Sequence, residues 1–83
     1  MPYIPAKARI DLHFGSRITS VTNPGQLNYV FTETIRAYLG NVGTSYQTIN
    51  DVIGALEGAK LEFYRRVAVP YEDEKIKTNG DVY

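Results

Sequence analysis

Apolar residues along this chain recur at intervals of three and four, the repeat of a helix face, and no segment stands out with the two-residue alternation of a strand. The repeat begins at Ile10, Phe14 and Ile18, one face of a helix over residues 6–20. Gly15-Ser16 weakens that helix, because an interior glycine costs about 1 kcal/mol relative to alanine. A second helix opens at Asn23-Pro24-Gly25-Gln26. Asn23 can cap, Pro24 suits the first helical position, and Gln26 stands where a capping box places its closing residue. Its stripe is Leu27, Val30, Phe31, Ile35, Tyr38 and Leu39, with Gly40 as the expected stop and residues 41–43 as the loop.

Thr44-Ser45-Tyr46-Gln47 repeats the capping pattern and opens the longest helix. Ile49, Ile53, Leu56, Lys60, Phe63 and Val67 then alternate spacings of four and three, the 3.5-residue seam of helix-on-helix packing. Pro70 is expected to end or kink this helix at or just before Val69. Beyond it, Glu72, Asp73 and Glu74 precede Lys75 and Lys77, the charge order a short fourth helix prefers. Asn79-Gly80 reads as its cap or turn, and residues 81–83 as a tail. At the other end, Pro2 and Pro5 predict an extended arm over residues 1–5, with Tyr3 and Ile4 available to a neighbour. The pattern predicts a single all-α domain over residues 1–83: three helices, the third long, and a short C-terminal fourth.

Composition adds a stability problem. A domain of 83 residues buries roughly 60% of the surface its unfolded chain exposes, so a lone monomer is marginal. Small domains compensate with disulfides, a metal or oligomerisation. The chain has no cysteine, and His13 is its only histidine, so neither a disulfide nor a thiolate–imidazole zinc cage can form. Homo-oligomerisation is the support that remains. Nine Lys and Arg balance nine Asp and Glu, so the chain lacks the positive field behind non-specific nucleic-acid binding. No apolar run approaches the about 20 residues that span a bilayer. The proline-bearing start has no secretory h-region, and a cytoplasmic location is expected.

Three constellations remain as candidates. Gly54, Ala55, Gly58 and Ala59 place small residues on the long helix, where a second backbone could approach closely. They point either to contact with the preceding helix or to self-association. Around the proline, Glu62 precedes Arg65 and Arg66 by three and four residues, and Glu57 precedes Lys60 by three, which predicts exposed ion pairs. Those pairs account for the glutamates and leave two adjacent arginines beside a proline. Arg65 and Arg66 offer planar forks to phosphate or carboxylate, Tyr64 and Tyr71 could stack or hydrogen-bond, and Lys60 or Lys75 could add charge. Seven tyrosines are many for so short a chain. Tyr29, Tyr38 and Tyr46 are expected in the core or half-buried, whereas Tyr3, Tyr71 and Tyr83 suit contacts with a partner or ligand. No catalytic residues are expected. Nothing beside His13 makes a nucleophile–base pair, Glu72-Asp73-Glu74 point different ways, and no phosphate-cradling glycine loop occurs. No cofactor is implied.

Pro24-Gly25-Gln26-Leu27-Asn28-Tyr29, the run from Ile49 to Glu57, the run Lys60-Leu61-Glu62-Phe63-Tyr64-Arg65-Arg66, the run Pro70-Tyr71-Glu72-Asp73-Glu74-Lys75-Ile76 and the ending Asn79-Gly80-Asp81-Val82-Tyr83 together resemble a family of short proteins of tailed phages and prophages. That family has no assigned activity, so the resemblance implies a setting and no site residues. In that setting the expectation is a non-catalytic homo-oligomer that binds a small phosphate-bearing ligand, for instance sequestering a nucleotide-derived immune signal of the host. The alternatives are a protein–protein adaptor or inhibitor and a structural phage component.

Overall fold

The structure, a computed structural model, describes residues 20–83. The expected arm, His13 and all of the expected first helix except Ser20 lie outside the described residues. Among those described, 83% are helical and none is in a strand, which agrees with the all-α reading. The described residues fall into two compact units divided between Asn50 and Asp51, and each is described by itself.

In the first unit, helix α1 runs Pro24–Val42. Asn23 caps it from an extended backbone, its Oδ1 accepting from the Gln26 N–H at 2.8 Å. The return arm of the box is displaced by one residue: Gln26 Oε1 accepts from the Thr22 N–H at 2.7 Å rather than from Asn23. At the other end the helix passes the expected stop. Gly40 is an interior residue, and the cap is Gly43, at φ +86°, whose N–H donates to the Leu39 carbonyl at 2.8 Å. The terminator is thus the glycine whose backbone needs a left-handed φ, a conformation closed to most side chains.

Helix α2 follows at Tyr46–Phe63. Its capping box sits one residue later than the sequence suggests, on Ser45 and Thr48. The Thr48 N–H donates to Ser45 Oγ at 3.2 Å, and the Ser45 N–H donates to Thr48 Oγ1 at 2.8 Å. Thr48 Oγ1 in turn donates to the Gly43 carbonyl at 2.8 Å, tying the two helix ends of this unit to one loop. A threonine hydroxyl both accepts and donates, so Thr48 closes the box and holds the loop carbonyl with one group.

In the second unit, α2 continues without a break into a π-helical turn, Tyr64–Ala68, and then into α3, Val69–Asn79. Pro70 has no N–H to give, and in an α-helix its ring would press on the carbonyl four residues earlier, that of Arg66. The widened turn avoids this. The Val69 N–H reaches five residues back to the Tyr64 carbonyl, while Ala68 and Val69 keep right-handed helical angles. Pro70 therefore neither stops the helix nor leaves it regular. A turn that bonds i to i+5 holds an extra residue and rotates everything beyond it. The 3.5-residue seam is accordingly in phase only as far as Phe63, and Val67 no longer continues it. Gly80, at φ +86°, closes α3 with its N–H on the Ile76 carbonyl, as Asn79-Gly80 predicts.

No apolar side chain among the described residues is buried. Along α1, Val30, Ile35 and Leu39 are half-buried, whereas Leu27, Phe31 and Tyr38 are exposed. Along α2, Ile53 and Phe63 are each 61% exposed.

Candidate functional site

Among the described residues, the strongest concentration of charge chemistry lies where α2 passes into the π turn. Glu62, in the last α turn, faces both arginines. Arg65 Nη2 donates to its two oxygens at 3.2 and 3.1 Å, and Arg66 Nε donates to Oε2 at 2.9 Å. Spacings of three and four from Glu62 place both guanidiniums over the same carboxylate. The side chains of Arg65 and Arg66 remain 65% and 63% open to solvent, so each ion pair is worth under about 1 kcal/mol and is screened by salt. The expected Glu57–Lys60 pair is present at 3.4 Å, and a Glu74–Lys77 pair at 3.8 Å follows in α3.

The candidate ligand residues thus form three local groups along one helical run. Arg65 and Arg66 meet on Glu62, and Lys60 is engaged one turn earlier by Glu57. Lys75 stands over the Tyr71 ring, with Nζ 5.5 Å from its centroid, within cation–π range. Tyr64 opens the π turn and is exposed, as is Tyr71. The arginines are therefore not left over from the ion pairing, as the sequence suggests. Glu62 engages both, and an incoming anion would compete with that carboxylate for the same nitrogens.

The expectation that Tyr29, Tyr38 and Tyr46 are core or half-buried is corrected: all three are exposed, Tyr46 at 90%. Tyr46 is the first residue of α2. Of the small residues, Gly54, Ala55 and Ala59 are exposed and Gly58 is half-buried. A Cβ added to Gly54 would meet nothing within 4 Å. On a helical repeat of 100° per residue, this strip lies opposite the Ile53–Leu56–Phe63 seam.

The sequence reading missed one face. An open groove of about 670 Å³ follows α1 past Gln26, Tyr29, Val30, Glu33 and Ala37. Its signal was available as residues three and four apart, but the mixture of polar and apolar types did not read as a stripe. Among the described residues no three His, Cys, Asp or Glu side chains gather as metal ligands, and no helix is long and apolar enough to cross a membrane.

The described residues are thus mostly helical, with the apolar seam of α2 and the charged turn both exposed. The chain belongs to the family of the domain of unknown function DUF6899, whose model matches residues 1–82. No curated protein and no solved structure shows significant similarity to it.

Proposed function

We propose that this protein is a non-catalytic binding protein that works as a homo-oligomer and takes a small phosphate-bearing ligand at the π turn. The observation that carries the reading is the open apolar seam of α2, with Ile53 and Phe63 each 61% exposed. Covering such a half-exposed side chain is worth about 1 kcal/mol or more. Most helical stability in proteins comes from packing of an apolar face, so a second surface on the seam supports the helix itself. In the assembly, Arg65 and Arg66 hold the phosphate by charge-assisted hydrogen bonds, Tyr64 and Tyr71 stack or hydrogen-bond, and Lys60 and Lys75 add charge. The resemblance to phage and prophage proteins favours a nucleotide-derived signal of host defence as the ligand, with sequestration as the result. A cytoplasmic site of action in the infected cell goes with that reading.

The test is native mass spectrometry of the purified protein with cyclic nucleotides and ADP-ribose derivatives. A defined oligomer carries a stoichiometric adduct, and Arg65→Ala or Arg66→Ala removes it. An adduct untouched by both substitutions refutes the site. A second reading, an adaptor or inhibitor of a host protein, is favoured by the exposed ending, where Val82 is 93% exposed. Deleting residues 81–83 abolishes partner capture on that reading and spares a ligand held at the π turn.

A further inference from the structure

The homo-oligomer reading leaves open how two copies meet, and the α2 seam carries a direction. From Ile53 the seam residues follow at spacings of three, four and three, through Leu56 and Lys60 to Phe63. All four lie in the α-helical part of α2, before the π turn changes the phase. The order of spacings is the same read from either end, with its midpoint at Gly58. A parallel pair in register would set Lys60 against Lys60 of the second copy, two like charges in the middle of an apolar seam. An antiparallel pair, on a two-fold axis level with Gly58, sets Ile53 against Phe63 of the second copy and Leu56 against Lys60. It also brings each Lys60 to within one residue's rise, about 1.5 Å along the axis, of the level of Glu57 of the second copy. Glu57 already accepts from Lys60 within the chain at 3.4 Å, so its carboxylate stands at the edge of the seam. Opposed helix dipoles favour the same orientation.

We infer that α2 pairs with α2 of a second copy in antiparallel fashion, with Ile53 facing Phe63 and Lys60 flanked by Glu57 across a two-fold axis at Gly58. This rests on the homo-oligomer reading and adds to it the partner face, the orientation and the register. The seam is opposite the Gly54–Gly58 strip, so close backbone approach at the glycines plays no part in it.

Because the chain has no cysteine of its own, the register can be read by cross-linking. Ile53→Cys and Phe63→Cys chains, distinguishable in mass, are mixed in equal amounts and oxidised at equilibrium. The mixed 53–63 disulfide exceeds either self-linked product by at least tenfold. Predominant 53–53 and 63–63 products mean a parallel pair and overturn the inference. An oligomer by sedimentation that gives none of these products means a different face and overturns it too, while leaving the homo-oligomer reading intact. A wild-type chain that sediments as a monomer refutes both. Should the cysteine chains lose helicity, the charge swap tests whether Glu57 and Lys60 of the two copies meet across the seam. Lys60→Glu and Glu57→Lys each weaken self-association at least several-fold, and mixing the two restores it. Weakening without recovery on mixing overturns the inference.

Discussion

Replacing Gly54 by alanine asks directly which face of α2 is in use. Gly54 lies in the middle of an 18-residue helix, and a Cβ built there meets no atom within 4 Å. With no steric term, the expected effect is the helix propensity difference alone, a gain of about 0.8–1.0 kcal/mol per chain. For a domain of this size that raises the melting temperature by about 4–8 °C. The assay is thermal unfolding by circular dichroism at several protein concentrations, with sedimentation on the same samples. Gly40→Ala serves as the control. Gly40 is interior to α1 and equally open, so it gains about the same stability from the same cause. The reasoning is refuted if Gly54→Ala lowers the melting temperature or weakens association while Gly40→Ala behaves as stated. That pattern would place a partner's backbone against the Gly54–Gly58 strip instead of the seam.

Three further outcomes follow from local geometry. Asn23→Ala removes the acceptor of the Gln26 N–H and lowers stability by about 1 kcal/mol, seen as faster amide exchange in the first turn of α1. Glu62→Gln weakens both ion pairs with the arginines, each worth about 0.2–0.5 kcal/mol. The small destabilisation therefore disappears in high salt, while phosphate-ligand affinity rises several-fold because the competing carboxylate charge is gone. Pro70→Ala returns a donor to the helix and removes the ring that forces the widened turn. The π turn reverts to regular α-helix, with a stability gain bounded at about 3 kcal/mol, the usual cost of an interior proline. The reversion is read from the amide resonances of residues 64–70.

What was legible in the sequence depended on whether the signal was local. Asn23-Pro24 marked the start of α1 because capping involves groups within three residues, and Asn79-Gly80 marked the end of α3 for the same reason. The errors are one residue wide where two adjacent polar residues can both cap, as at Thr44-Ser45. They are three residues wide where two nearby glycines compete as terminators. Gly40 and Gly43 look alike in sequence, and only the chain path decides which takes φ +86°. The π turn was out of reach. Proline announces a disturbance, but whether the backbone stops, bends or takes in an extra residue depends on which nearby N–H and carbonyl groups can pair. The ion pairs at Glu57 and Glu62 followed from helical spacing alone. The exposure of Tyr29, Tyr38 and Tyr46 did not, because it depends on what covers each helix face and not on periodicity.

The central claim, that this chain works as an assembly of identical copies, is tested most directly by sedimentation equilibrium of the purified protein from low micromolar to a few hundred micromolar. The account predicts a reversible oligomer of defined stoichiometry whose helicity rises as it forms. A monomer across the whole range, with full helicity, would contradict it.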